Sequence, residues 1–381
     1  MKSGEILEDL NKVYESRGKI FIMKRFLLSS LRLCAGNAFV FLLILSACNQ
    51  TYMPTSTPIP TPQPTETPVP PTNTPMPIPT LQRGVNMGNM LEAPKEGQWG
   101  LYVKEEYFDL IKEAGFDFVR LPVRWNAHAK ESAPYTIDLI FFARIDEVVG
   151  WALKRKLTII VDFHHYEEMM SDPQGNKERY LAIWKQIAEH YKDYPPTVLF
   201  ELLNEPNSQL DAAIWNQDLS DALSIVRKAN PTRDVIIGPV DWNAYDWIST
   251  LDVPEDEHII VTFHYYLPFE FTHQGAEWVE GSIPWLGGTW DATDAEKTEI
   301  TRHFDSVAGW AERHNVRILL GEFGAYSKAD ISSRARWTSF VAREAERHGF
   351  AWAYWEFGSG FGVYDPYIRV WKEDLLKALI P

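Results

Sequence analysis

ELLNEP at 201–206 and LLGEFG at 319–324 each close a β-type apolar run, and each places a glutamate, Glu205 or Glu322, where a strand gives way to a loop. Outward from these strings, β-like and helix-like segments alternate from 81 to 381. Strand candidates lie at 83–89, 116–122, 157–164, 198–204, 234–240, 258–265, 317–322 and 351–356. Several are unbroken runs rich in Val, Ile and Phe, as strands buried on both faces require. Helical periodicity separates most of them. In 178–192, Leu181, Trp184, Ile187, Ala188 and Tyr191 share one face, and 334–348 is closed by Gly349 as a C-terminal cap. A last helix fits 371–379. This alternation predicts an α/β fold, a (β/α)8 TIM barrel, as a single domain over 81–381. An open doubly wound sheet is the rival. It usually carries a glycine-rich phosphate loop after the first strand, and GVNMGNMLEAP at 84–94 does not fit one.

In a barrel, polar residues at strand ends gather on the C-terminal face. Here these are Asn89, Arg120, His164, His165, Asn204, Glu205, His264, Tyr266, Glu322 and Trp355. Two carboxylates facing each other across a cleft are what glycoside hydrolysis uses. One protonates the leaving oxygen and the other attacks the sugar carbon. A surface carboxylate is the bland alternative for each glutamate, and the flanking strings argue against it. His164 and His165, beside Glu167 and Glu168, invite a metal reading. Adjacent strand residues point to opposite faces, which makes pairing on one metal awkward, so contacts to sugar hydroxyls fit better. Neither a metal nor a cofactor is expected. No Ser-His-Asp elbow, phosphate loop or cysteine metal cluster is present in the sequence.

Composition narrows the partners. Net charge is −15 overall; residues 1–80 hold 7 Lys/Arg and 5 Asp/Glu, leaving 30 against 47, or −17, in the rest. That balance repels nucleic acid and anionic membrane surfaces but not a neutral polymer. All 15 tryptophans fall after residue 81, a supply for both a large core and sugar-stacking platforms. Cysteine is absent after Cys48, so the globular part has neither disulfide nor thiolate chemistry.

The first 80 residues divide into three parts. Residues 1–22 fit no targeting pattern and read as an over-long or mis-called extension, with Met23 as the initiator. Residues 23–48 combine a basic start at Met23-Lys24-Arg25, an apolar run over 38–47 and Leu45-Ser46-Ala47-Cys48. This matches a signal peptide ending in a lipobox, in which Cys48 is lipidated; ordinary secretion is the alternative. Residues 49–80 are a Pro/Thr-rich linker containing TPIPTPQPTETPVPPTNTPMPIPT, whose prolines favour an extended polyproline conformation. At about 3.1 Å per residue such a spacer reaches up to roughly 90 Å.

The strings VRLPVRW (119–125), DFHHY (162–166), ELLNEP, HYY (264–266), GEFGAY (321–326) and AYWEF (353–357) make 81–381 resemble glycoside hydrolase family 5, the clan A family of retaining β-glycanases. HYYLPFEFTHQGAEWVEG at 264–281 further resembles a bacterial subfamily that includes thermophilic endoglucanases cleaving both β-1,4-glucans and β-1,4-mannans. The resemblance implies that Glu205 is the general acid/base and Glu322 the nucleophile, with the like charge of Glu322 helping to keep Glu205 protonated. Arg120 and Tyr266 would hold Glu322, His264 would orient Glu205, and Asn204 would meet the sugar 2-hydroxyl. Trp355 would stack under the sugar before the scissile bond, and His164 and His165 would contact hydroxyls. Asn89, Glu92, Trp278 and Phe361 are assigned to more distant sugar subsites, with His273 in the same long loop as Trp278. For Trp278 and Phe361 a core or loop role fits nearly as well.

The implied protein is a monomeric, extracellular endo-β-1,4-glycanase tethered to the cell membrane by its lipid. Its expected substrates are β-1,4-linked polysaccharides: glucan first, with glucomannan and mannan close behind. The alternatives are a non-catalytic glycan-binding lipoprotein, which should lack one carboxylate, and a transglycosylase on the same scaffold.

Overall fold

The structure, a computed structural model, describes residues 81–381. The readings for 1–22, for 23–48 with Cys48, and for 49–80 lie outside the described residues. Eight strands form the barrel: β1 (Arg83–Asn86), β2 (Phe118–Val123), β3 (Thr158–Phe163), β4 (Val198–Glu201), β5 (Val235–Ile237), β6 (Ile259–Tyr265), β7 (Arg317–Phe323) and β8 (Ala351–Tyr354). They pair in parallel in chain order, and β8 closes onto β1. The connecting helices are α1 (Glu105–Ala114), α2 (Leu139–Lys154), α3 (Pro173–His190), α4 (Ala212–Ala229), α5 (Asp294–His314) and α6 (Ile331–Arg347), and α7 (Glu373–Leu379) follows β8. Between β5 and β6 the chain makes only short turns, including the 3-10 segment Tyr245–Thr250. The expected (β/α)8 barrel is the observed one.

Helix starts are encoded locally. The side chains of Asp138, Asp211, Thr293 and Asp330 each accept a first-turn amide hydrogen that would otherwise lack a partner. Thr293 and Glu296 complete a reciprocal capping box on α5. The helix expected at 178–192 begins earlier, because Asp172 caps it and Pro173 suits its first turn. The helix expected at 371–379 starts only at Glu373. Trp371 belongs instead to a small hairpin, β9 (Tyr364–Asp365) with β10 (Val370–Trp371).

Strand alternation sorts the barrel into a packed floor and a polar mouth. Phe118, Ile160, Leu199, Ile236, Ile260 and Leu319 form an apolar cluster inside the barrel. Gly84 makes room for it, since a Cβ there would lie 2.3 Å from the Phe118 ring. Two residues further along the same faces come Asn86, Arg120, Asp162, Glu201 and Thr262, all fully buried. The opposite faces, such as Val119, Leu121, Ile159, Val161 and Phe200, pack in the larger outer core with the helices. Truncating one such side chain to Ala costs about 2–5 kcal/mol.

Most expected strands run too long at their C-terminal ends. Residues 87–89, 202–204 and 355–356 leave the ladder, and Asn89 and Glu205 adopt φ of 64° and 49°. These departures are where the chain aims side chains into the mouth.

Candidate active site

Arg120 organises the mouth. Its side chain donates to Glu201 Oε2 (2.7 Å) and Oε1 (2.8 Å), Asn86 Oδ1 (2.9 Å), Glu322 Oε1 (2.8 Å) and Asn204 Oδ1 (2.8 Å). Asp162 Oδ2 lies 3.0 Å from the same guanidinium. The fork therefore reaches four strands or strand ends besides its own, and only a planar, multi-donor cation can do so. Burial alone would lower the Arg120 pKa, but Asp162, Glu201 and Glu322 raise it well above normal. Removing one partner of such a buried network typically costs about 3–5 kcal/mol.

A bulge places the second carboxylate. Phe263 pairs with Leu320, but His264 pairs with Glu322, so Gly321 is the extra residue on β7. A Cβ at Gly321 would lie 2.4 Å from Thr262 Oγ1 and 3.1 Å from His264 Nε2, so glycine is required there. Gly324 is equally constrained, with Trp355 O 2.2 Å from where its Cβ would be. Glu322 then receives Arg120 on Oε1 and the Tyr266 hydroxyl on Oε2 (2.8 Å). Glu205, on the loop after β4, meets His264 Nδ1 at 2.8 Å, and His264 Nε2 faces Asn243 Nδ2 at 3.4 Å. Glu205, His264 and Glu322 each present a donor atom within 4.8 Å of the others.

Burial pushes both carboxyls up to about 7. Hydrogen bonding separates them. Glu322 receives a guanidinium and a phenol, which favour its ionised form, while Glu205 has only His264. Burial lowers His264 to about 4, so it is neutral at ordinary pH. These hydrogen bonds favour Glu205 as the carboxyl that keeps its proton and Glu322 as the one that ionises. Burial is the main cause of Glu205's raised value, and the like charge acting on it is Glu201. Repulsion within the pair is mutual, so ionised Glu322 also disfavours ionisation of Glu205, as expected from the sequence.

The remaining candidates divide. Asn204 gives Oδ1 to Arg120, leaving Nδ2 as its donor for a ligand. Trp355 lies parallel to the His164 ring at 5.7 Å. His164 and His165 do not point to opposite faces: their rings meet edge-on at 4.5 Å, because β3 ends at Phe163 and His165 takes φ 51°. His164 Nδ1 is held by Asp162, and among the described residues neither histidine joins a cluster of three metal-ligating groups. The Glu205–His264–Glu322 set has the spacing for a cation, but Arg120 already supplies positive charge there and Tyr266 occupies the second Glu322 oxygen.

Glu92 and Phe361 are almost fully buried. Glu92 is 1 % exposed, and its oxygens accept the backbone N–H groups of Asn89 and Met90, bracing the loop after β1. Phe361 is 4 % exposed in a satellite cluster with Ala276, Val279 and Tyr326. Asn89 donates to Glu356 Oε2 at 3.0 Å. His273 is buried against Phe269 and Tyr266, and burial lowers its pKa to about 3. Trp278 stays open to solvent at the rim, edge-on to Tyr326.

Sequence reasoning missed Asn86, Asp162, Glu201 and Glu356. Asn86 alone ties three strands: its amide donates to Gly321 O, Ala353 O and Tyr354 O while its oxygen accepts from Arg120. The available signal was a polar or charged residue at or next to the C-terminal end of a mostly apolar strand, as Asn86 in RGVN, Asp162 in TIIVDF and Glu201 in VLFE. Such a group can be buried only if it is paired.

A closed barrel with two paired carboxyls at the C-terminal ends of β4 and β7 defines a glycosidase-type site. Residues 79–360 match the family model described as cellulase (glycosyl hydrolase family 5), and the chain belongs to that family. Endoglucanase H of Acetivibrio thermocellus is 40 % identical over 302 residues, 78 % of this chain and 32 % of that protein. The chain thus spans about a third of this relative's length. Thermotoga maritima Cel5A, solved in complex with cellobiose and separately with mannotriose, superimposes with TM-score 0.78 at 51 % identity. Each match covers 79 % of this chain and 98 % of that one.

Proposed function

We propose that this chain is a retaining endo-β-1,4-glycanase that hydrolyses β-glucan, and also glucomannan or mannan, by double displacement. The observation that carries the reading is the close, unequal carboxyl pair. Donor atoms of Glu205 and Glu322 lie within 4.8 Å, matching the short separation of retaining enzymes and too close for the attacking water of an inverting one. Glu205 protonates the glycosidic oxygen as it leaves, while ionised Glu322 forms the bond to the anomeric carbon. Glu205, now a carboxylate, then takes a proton from water, whose oxygen displaces Glu322. Asn204 Nδ2 is placed for the 2-hydroxyl, and Trp355 offers a stacking face. Mannan enters the proposal because Thermotoga maritima Cel5A has been solved with both cellobiose and mannotriose.

The test is Glu322→Ala with and without azide. Hydrolysis should be abolished. Azide should partly restore substrate consumption and give a glycosyl azide of inverted configuration. Near-native hydrolysis without azide would refute the assignment.

We further infer that the protein acts as a monomer outside the cell, held to the membrane through lipidated Cys48, with 49–80 as spacer. The lipobox-like Leu45-Ser46-Ala47-Cys48 after an apolar run supports this reading.

A further inference from the structure

The rings of the mouth continue outward in a row. Trp355 lies parallel to His164 at 5.7 Å, His164 meets His165 edge-on at 4.5 Å, and His165 meets Trp99 edge-on at 5.8 Å. Trp99 therefore stands within about 16 Å of Trp355, the width of a few pyranose rings. It is 41 % exposed, whereas seven of the 15 tryptophans are buried. Neither the carboxyl pair nor the core uses it.

Beside Trp99 is a groove of about 200 Å³ whose far side is the hairpin β9–β10 and the segment before it. Ser359, Tyr364, Asp365, Tyr367 and Lys372 line that side. Tyr367 is 76 % exposed at the hairpin tip. It is held there by the turn, because Asp365 Oδ1 accepts the backbone N–H groups of Tyr367 and Ile368 at 2.9 and 3.2 Å. The tip stands close to the Trp99 loop: a Cβ on Gly100 would lie 3.4 Å from the Tyr367 hydroxyl. Two exposed rings flank a small space that also presents a carboxylate, an ammonium and a serine hydroxyl. A pyranose has the matching chemistry, with apolar C–H faces for the rings and hydroxyls for the polar groups.

We propose that this groove is an outer subsite of the same cleft. It takes the pyranose units of a β-1,4-linked chain that lie a few residues beyond the ring seated at Trp355. Trp99 and Tyr367 supply the stacking faces, and Asp365 and Lys372 the hydroxyl partners. The occupant is the substrate's own extension, because the row of rings from Trp355 through His164 and His165 ends at Trp99, which borders the groove. The inference rests on the glycanase reading above.

The experiment compares a short substrate, an aryl β-cellobioside, with a long one, cellohexaose, in wild type, Trp99→Ala, Tyr367→Ala and the double variant. Each single variant should lower kcat/KM for cellohexaose about tenfold, mainly through KM, with little change for the aryl cellobioside. An equal fall on both substrates, or an unchanged value for cellohexaose, would overturn the subsite. Cellohexaose binding to the wild-type chain is followed in parallel by tryptophan fluorescence. If wild type binds cellohexaose but cleaves nothing, and Trp99→Ala loses that binding, the glycanase reading fails and the subsite stands.

Discussion

Replacing Tyr266 by Phe removes a single hydrogen bond from Glu322 and leaves the ring where it is. The Tyr266 hydroxyl donates to Glu322 Oε2 at 2.8 Å, and its ring keeps edge contacts with His273 at 5.0 Å and Phe361 at 6.1 Å. A hydrogen bond to a charged group is worth about 1.5–3 kcal/mol, which corresponds to roughly one to two pKa units. Donation favours the carboxylate, so its loss raises the Glu322 pKa. The acid limb of the kcat/KM–pH profile reports ionisation of this group and should therefore move to higher pH. Arg120 remains on Oε1, so we expect the lower end of the range, about one unit. The basic limb, set by deprotonation of Glu205, should move far less. The assay is initial-rate hydrolysis of a soluble β-glucan across pH in wild type and Tyr266→Phe. A uniform rate loss with the acid limb in place would refute the reasoning, because it would mean that the hydroxyl does not govern Glu322 ionisation.

On purified linear mannan and barley β-glucan under one set of conditions, catalytic efficiencies should agree within about a hundredfold, roughly 2.7 kcal/mol of transition-state discrimination; undetectable mannan cleavage would make the enzyme a strict glucanase. Cys48→Ser should abolish lipid labelling and move the protein to the aqueous phase of a detergent extraction, whereas identical partitioning would replace anchoring by plain secretion. Dialysis against EDTA should leave the rate unchanged, and a loss that zinc or calcium restores would assign a metal to Glu205, His264 and Glu322.

The barrel was legible because its strands are apolar on both faces and its helices carry their own caps. Each of the eight barrel strands falls at an expected position, whereas the hairpin β9–β10 was not expected. The C-terminal strand ends were not legible. Leaving the ladder already at Met87 or Leu202 depends on neighbours distant in sequence, whereas the local residues read as strand. The two glutamates were found because the strings around them are distinctive. The network beneath them was not, because Asp162 and Glu201 each sit in an apolar string whose partner, Arg120, lies on another strand. The expectation that His164 and His165 point to opposite faces failed for a related reason: alternation was extended past the end of β3, where His165 turns left-handed. The near-complete burial of Glu92 and Phe361 was likewise invisible in the sequence, because it depends on packing with residues distant in the chain.

Around Arg120, carboxyl groups outnumber the cation. Asp162, Glu201 and Glu322 all lie within 3.0 Å of its nitrogens, and burial raises Asp162 to about 7. The barrel mouth is thus a proton reservoir as well as an ion pair. As pH rises through that range the reservoir empties and the site gains negative charge. An uncharged sugar gains little from this. A flattened ring bearing a protonated nitrogen, which imitates the positive charge that develops at the anomeric carbon, should bind progressively more tightly until it loses its own proton. Discrimination between a substrate and its cationic imitation is then set by residues beneath the sugar, through their state of protonation rather than through contact.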